Sequence, residues 1–79
     1  MFLEIITPEK KVFSGEVTSV QVPGTSGQFQ ILKNHAPIIS TLANGKVKIK
    51  TASGTQSFDV KGGVVEVLKN KVIVLAESV

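Results

Sequence analysis

The sequence lacks several residue types that small proteins use for stability or chemistry. It has no cysteine, so neither disulfide bonds nor cysteine-bound zinc can stabilise it. Its single histidine, His35, excludes a multi-histidine metal site. All nine basic residues are lysine, and the absence of arginine disfavours bidentate recognition of phosphate or guanine. No apolar run approaches the length needed to span a bilayer.

The chain is long enough for one domain only. Residues 1–79 have a mass of 8.4 kDa and contain no internal repeat, low-complexity tract or linker. A domain of this size buries only ~60% of the surface that its unfolded chain exposes. Its stability must therefore come from tight packing, or from a partner that covers apolar surface.

The composition predicts an all-β protein. Valine, isoleucine and threonine make up 25 of the 79 residues, and their stiff side chains fit a pleated sheet better than a helix. No segment shows a helical apolar stripe, whereas glycine and proline recur at intervals of about 8–12 residues, which is typical of sandwiches and barrels. We expect a small flattened β-sandwich or barrel of about eight to ten short, mostly antiparallel strands.

One hairpin is predicted at residues 46–51 and 55–60. Valine and isoleucine alternate with lysine in its first strand, so one face is apolar and the other cationic. A two-residue loop at Ser53-Gly54 sets the register. In that register the facing pairs are Val47 with Val60, Ile49 with Phe58, and Lys48 with Asp59.

A second hairpin is predicted at Val64–Leu68 and Val72–Ala76, with Lys69 to Lys71 near its tip. Its strands are apolar on both faces, which is unusual for an antiparallel sheet with one wet side. If Val65, Val67, Val72 and Val74 enter the core, then Ile73 and Leu75 point away from it. Either a second sheet or a partner protein must cover those two side chains. The other predicted strands are Leu3–Thr7, Lys11–Phe13, Glu16–Val22, Gln28–Leu32 and Ile38–Leu42.

Residues suited to catalysis are scarce. No serine or threonine lies in a nucleophile-elbow pattern, and the acidic residues form no close pair at strand spacing. His35 has no neighbouring acid to orient it, so a structural or contact role is favoured over catalysis. The segment Gly24–Gly27 lacks the ending of a phosphate-binding loop and is expected to be a surface turn. We predict no enzymatic activity, no cofactor and no metal site.

Two alternative functions fit a small basic β protein. Lys69 near a hairpin tip is compatible with a biotinyl or lipoyl carrier domain, although Leu68 and Asn70 are not the flanking residues expected there. The lysines at 46, 48 and 50 are compatible with a nucleic-acid-binding module, but stacking aromatics are missing, so an ordinary solvated face is favoured.

Several segments, taken in order, resemble the epsilon-subunit family of F-type ATP synthases. Each is only moderately specific alone, but together they cover the chain. They are Leu3–Glu9, Val12–Val17, Val22–Leu32, Asn34–Ile39, Gly62–Val67 and Val72–Glu77.

The resemblance implies a rotor protein of the central stalk. Such a subunit clamps the gamma subunit to the ring of c subunits and so couples proton transport to ATP synthesis. It would be peripheral at the cytoplasmic face of the bacterial inner membrane and would bind no nucleic acid. Family members usually continue into two C-terminal helices that inhibit ATP hydrolysis. Because this sequence stops at Val79, inhibition by such helices is expected to be missing.

The resemblance also suggests contact residues. Positions on or near the gamma-facing surface of the family correspond to Thr7, His35, Ser40 and Lys61, and the loop near the c ring corresponds to Ser26, Gly27 and Gln28. Relatives commonly carry an acid where Gln28 stands, which predicts a weaker charge contact. Gln30 replaces a usual glycine and Lys33-Asn34 a usual proline-glycine, which predicts an altered loop at the membrane-facing end.

Overall fold

The computed structural model describes all 79 residues, from Met1 to Val79, and contains nine β-strands and no helix. The expected all-β architecture and the number of strands are thus confirmed. The strands are β1 (Phe2–Ile6), β2 (Lys11–Glu16), β3 (Ser19–Gly24), β4 (Gly27–Leu32), β5 (Ile38–Leu42), β6 (Gly45–Thr51), β7 (Gly54–Val60), β8 (Gly63–Leu68) and β9 (Lys71–Leu75).

The strands form one curled sheet with the order β2-β1-β9-β8-β5-β3-β6-β7, and β4 pairs with β3 outside this path. A single residue pair, Gly24 with Leu42, joins β5 to β3. The sheet therefore has two parts, β2-β1-β9-β8-β5 and β4-β3-β6-β7, which face each other across the core. All strand pairs are antiparallel except β1 with β9.

The core lies between the two parts of the sheet. Fifteen buried apolar residues form it, and nearly all are valine, isoleucine or leucine. Val65, Val67, Val72 and Val74 are among them, as the pattern of β8 and β9 predicts. Phe29 and Phe58 pack against this cluster but are only partly buried.

The β6–β7 hairpin differs from its predicted register by two residues. Thr51 pairs with Gly54, so the loop is Ala52-Ser53 rather than Ser53-Gly54. Gly54 has a φ of 136°, a conformation open to glycine but disfavoured for other residues, and it begins the second strand instead of ending the turn. Val47 consequently faces Phe58, and Asp59 faces Lys46 rather than Lys48.

Two other strand boundaries in the structure also differ from the predicted ones. The chain remains extended through Gly15, which pairs with Leu3, so β2 continues to Glu16 and β3 begins only at Ser19. The β8–β9 hairpin closes through the two-residue loop Lys69-Asn70, and both loop residues have positive φ. Such a pair of left-handed residues matches the twist of the two strands.

Candidate interaction surfaces

The outer surface of β5, β8, β9 and β1 carries exposed apolar side chains. Ile39 is 72% exposed, and Leu68 and Leu75 are each 51% exposed, while Ile73 beside them is partly buried. We call this surface the apolar face. Both parts of the sheet contact each other through their inner sides, so a covering second sheet, one of the two alternatives predicted for Ile73 and Leu75, is absent.

A paired charge lies within the apolar face. Glu4 of β1 is directly beside Ile73 of β9, and its carboxylate lies 2.7 Å from the Lys11 ammonium and 3.8 Å from that of Lys71. The hydrogen bond from Lys11 is the main reason why the pKa of Glu4 lies below its ordinary value. Partial burial opposes this shift, and the charges of Lys11 and Lys71 reinforce it. Glu4 is thus held ionised on this face, which also carries the exposed Glu66 between Ile39 and Ile73.

Thr7 and Lys61 lie at the same end of the molecule. Thr7 follows β1 and is only 7% exposed. Its Oγ1 donates to the Lys10 carbonyl at 3.1 Å and accepts from the Lys10 amide at 3.2 Å, so the hydroxyl is used to close the β1–β2 turn. The Lys61 side chain is exposed, and its backbone amide donates to the Ser78 carbonyl.

His35 lies at the opposite end, in the β4–β5 loop. Its ring Nδ1 is 2.7 Å from the Ala36 carbonyl oxygen, and because a carbonyl can only accept, Nδ1 carries the proton of that hydrogen bond. The His35 amide donates to the Leu32 carbonyl. This arrangement supports the structural or contact role that the sequence favoured.

Ser40 lies between these two ends, on β5. It pairs directly with Val65, which is fully buried, so its side chain is on the inner side of the sheet, and its Oγ donates to the Thr41 carbonyl. Thr7, His35, Ser40 and Lys61 therefore follow the length of the β1–β9–β8–β5 sheet and do not form one cluster.

Ser26, Gly27 and Gln28 belong to the β3–β4 hairpin. Gly24 pairs with Gly27 across a two-residue loop, as expected for a surface turn, and the turn is exposed. The side-chain Nε2 of Gln21 donates a hydrogen bond to Gln28 Oε1 at 3.1 Å, and the hydroxyl oxygens of Thr25 and Thr41 are 2.8 Å apart. These bonds fix the turn at the end of the molecule that also carries Thr7 and Lys61.

Chemical sites are not found elsewhere on the surface. No group of three or more acidic or histidine side chains could bind a metal ion. Three surface depressions are present, and each is wide open to solvent. The protein has no helix that could cross a membrane.

Comparison with known proteins identifies the fold family. Residues 1–79 match the family described as "ATP synthase, Delta/Epsilon chain, beta-sandwich domain". The chain belongs to this family. It is 50% identical over 78 residues to the ATP synthase epsilon chain of Chlorobium limicola. The aligned region covers 98% of this chain and 89% of the relative. It is 43% identical to the epsilon chain of Caulobacter vibrioides, and that match covers 98% of this chain and 90% of the relative.

Other epsilon chains are longer. That of Maridesulfovibrio salexigens is 46% identical, and the match covers 98% of this chain but 54% of the relative. Among solved structures, a chain of the Euglena gracilis mitochondrial ATP synthase (OSCP/F1/c-ring) has a TM-score of 0.89 at 18% identity, covering 96% of this chain and 49% of that one. A chain of the Tetrahymena thermophila mitochondrial ATP synthase (central stalk/cring) has a TM-score of 0.84 at 19% identity, with 96% and 62% covered.

The places where this epsilon chain departs from the usual family pattern now have structural explanations. Asn34, at the usual glycine position, has a φ of 65° and so adopts the left-handed conformation that glycine takes easily. Lys33 and Asn34 lie at the end opposite the Ser26–Gln28 turn, and Gln30 lies within β4. These departures therefore lie outside the Ser26–Gln28 turn, and an altered loop at the membrane-facing end stays a prediction.

Sequence analysis missed Ile39, the most exposed of the large apolar residues. A signal was present, because Ile38 and Ile39 are adjacent in β5 and successive side chains of a strand point to opposite faces. One of the two had to point outward.

Proposed function

We propose that this epsilon chain clamps the gamma subunit to the c ring in the rotor of an F-type ATP synthase. It takes no part in catalysis and couples proton transport to ATP synthesis by preventing slippage between its two partners. In this role it is peripheral to the bacterial inner membrane, on the cytoplasmic face. The observation that carries the proposal is the apolar face, where Ile39, Leu68 and Leu75 are exposed and no other part of the chain covers them.

The apolar face suits a permanent protein partner. Ile39, Leu68 and Leu75 are spread over three neighbouring strands, and their exposure to water is costly at ~25 cal/mol per Å² of apolar area. Exposed apolar side chains on neighbouring strands of a small protein commonly mark an interface, and the exposed Glu66 beside Ile39 adds a charge to this one. We assign this face to gamma. The contact residues expected from the family are Thr7, His35, Ser40 and Lys61; of these, Ser40 has its side chain on the inner side of β5 and would contact gamma through its backbone.

The Ser26–Gln28 turn suits a second partner. It lies at the ends of β3 and β4, whereas the apolar face is the outer surface of β5, β8, β9 and β1, so both contacts can form at once. The assignment of this turn to the ring follows the family resemblance, in which Ser26, Gly27 and Gln28 correspond to the loop near the c ring. Gln28 is uncharged, so the contact relies on shape and hydrogen bonding.

Binding to gamma can be tested with two matched substitutions. Leu75 and Leu32 are equally exposed, at 51%, but Leu32 lies on the other part of the sheet. Leu75→Glu should abolish co-purification with the cognate gamma subunit, since it buries a charge in the interface. Leu32→Glu should leave co-purification intact. Equal retention of gamma by both variants would contradict the assignment of the face.

The ring contact can be tested in membrane vesicles. Gln28→Trp places a bulky side chain on the turn, whereas Gln30→Trp places it two residues along the same strand face. The first should lower ATP-driven proton pumping, and the second should not. Normal pumping with Gln28→Trp would count against the ring assignment.

Family membership disfavours the two alternatives that the sequence allowed. Lys69 does lie in the tip of the β8–β9 hairpin, as a carrier domain would need. An intact mass equal to that of the unmodified chain is expected, and an added biotinyl or lipoyl group would reopen that alternative.

A further inference from the structure

The β4-β3-β6-β7 part of the sheet has a different outer surface, which we call the cationic face. Its most prominent residues are Lys46, Lys48 and Lys50 of β6, all exposed, while Val47 and Ile49 between them are fully buried. The cross-strand neighbours of Lys48 and Lys50 are uncharged: Gln21 and Ser57 flank Lys48, and Ser19 and Thr55 flank Lys50.

Charge is segregated between the two parts of the sheet. Five of the six acidic residues lie outside β3, β4, β6 and β7, and Asp59 is the only one within these strands. Asp59 pairs with Lys46 at 2.8 Å, whereas Lys48 and Lys50 have no ion pair. Alternate positions of a strand are about 7 Å apart along the backbone, which is within the Debye length of ~8 Å at physiological salt, so the charges of the three lysines act together on a bound anion.

Protection of a sheet edge does not explain the lysine row. Lysines commonly blunt exposed edges, but β6 lies inside the sheet, between β3 and β7. The two edge strands of this part of the sheet, β4 and β7, contain no lysine. The row therefore requires another explanation.

We infer that the cationic face binds a membrane surface rich in anionic phospholipid headgroups. The face is extended and offers point charges without arginine, so it suits an anionic plane better than bidentate recognition of bases. Its strands carry no exposed aromatic platform for single-stranded nucleic acid, since Phe29 and Phe58 pack against the core. The choice of a bilayer also rests on the proposed function, which places the chain beside a membrane.

The consequence is a role before assembly. Each lysine near an anionic membrane surface raises the partition coefficient about fivefold. Such weak, reversible binding would hold an unassembled epsilon chain at the membrane, where its partners are built, without competing with the apolar face.

The experiment is co-sedimentation of the purified chain with phosphatidylcholine vesicles, with and without phosphatidylglycerol, at low and high salt. We expect binding only to the anionic vesicles and its loss at high salt. Lys48→Gln combined with Lys50→Gln should weaken binding about 25-fold. Lys10→Gln combined with Lys69→Gln removes the same charge from exposed sites elsewhere and should change binding little. Asp59→Asn should strengthen binding about fivefold, an effect that damage to the fold cannot imitate.

Several results would overturn the inference. They are equal weakening by both lysine pairs, binding to neutral vesicles that survives high salt, and tighter binding to duplex DNA than to anionic vesicles at the same salt. Co-purification with gamma should be unaffected by the Lys48 and Lys50 substitutions. Vesicle binding therefore tests the cationic face alone, and co-purification with gamma tests the proposed clamp function alone.

Discussion

The rings of Phe13 and Phe58 meet edge to face, with centroids 5.9 Å apart and ring planes inclined by 61°. Phe13 lies on β2 and Phe58 on β7, the first and last strands of the sheet order, and these two strands form no backbone pair. The curled sheet is therefore closed at this seam by side chains instead of by hydrogen bonds. Edge-to-face pairs of this kind contribute about 0.5–1.5 kcal/mol beyond burial.

Phe58→Ala should therefore destabilise the domain by about 2–3 kcal/mol, below the ~3–5 kcal/mol of a fully buried ring because Phe58 is only partly buried. Urea unfolding provides the measurement. A double-mutant cycle with Phe13→Ala should give a coupling of about 1 kcal/mol. Leu32→Ala, at an exposed position, is the control and should shift the midpoint little. Strictly additive effects at Phe13 and Phe58 would show that the seam is not closed by this pair.

The sequence predicted which residues of β6 point inward but not their partners in β7. Moving one strand by two residues keeps every side chain on its face, so the apolar pattern cannot distinguish the register with Val47 opposite Val60 from the observed one with Val47 opposite Phe58. The turn decides the register, and the chain places Gly54 in the strand. For the same reason sequence alone could not reveal the parallel pairing of β1 with β9, which depends on the path of the whole chain.

For the interaction surfaces too, the sequence predicted which face a side chain is on but not which residues lie beside it. Strands apolar on both sides predicted an apolar outer surface at Ile73 and Leu75 that a second sheet or a partner must cover, because successive side chains of a strand lie on opposite faces. The structure shows which alternative is left, since no second sheet covers Leu75, which is 51% exposed. The separation of His35 from Thr7 by the length of the sheet was not predictable, since it depends on strand order. The polar neighbours of the lysine row depend on strand order in the same way.

Stability should depend on the charge of Glu4. Because Lys11 and Lys71 lower the pKa of Glu4 in the folded state, folding favours the ionised carboxylate. The stabilisation is complete above the ordinary pKa of a glutamate and disappears as the pH falls through the lowered value. Glu4→Gln should lower the melting temperature at neutral pH, and the difference from the parent should vanish in acid. Glu9→Gln, at an exposed residue without an ion pair, is the control, and a constant difference at all pH values for Glu4→Gln would contradict this account.

The amides of Asn34 and Asn70 should hold the His35 loop against the β8–β9 hairpin. The Asn34 backbone amide donates to Asn70 Oδ1 at 2.6 Å, and Asn70 Nδ2 donates to Asn34 Oδ1 at 2.9 Å. Asn70→Gly removes these bonds but tolerates the φ of 61°, and should cost about 1–2 kcal/mol. Asn70→Ala should cost about 1 kcal/mol more, because alanine resists the left-handed conformation. Hydrogen exchange of the Asn34 backbone amide reports its bond to Asn70 Oδ1 directly. Unchanged protection of that amide in Asn70→Gly would show that the bond does not hold the loop.

Gly63→Ala should be among the most damaging single substitutions in the chain. Gly63 begins β8 with a φ of 125°, and an added Cβ would collide with the Leu75 carbonyl oxygen and lie 2.9 Å from the Ala76 Cα. Both obstacles are backbone atoms and cannot rotate aside, so we expect a loss of about 3–5 kcal/mol from strain and overpacking together. Gly15→Ala is the matched control, since its Cβ would meet only the Phe13 ring at 3.5 Å, an ordinary contact. Because a domain this small has about 5–8 kcal/mol in total, Gly63→Ala should be largely unfolded at physiological temperature by circular dichroism while Gly15→Ala remains folded. A folded Gly63→Ala protein would mean that β8 and β9 can move apart without loss of the sheet. The apolar face, which these strands form, would then be too flexible to hold two partners in a fixed position.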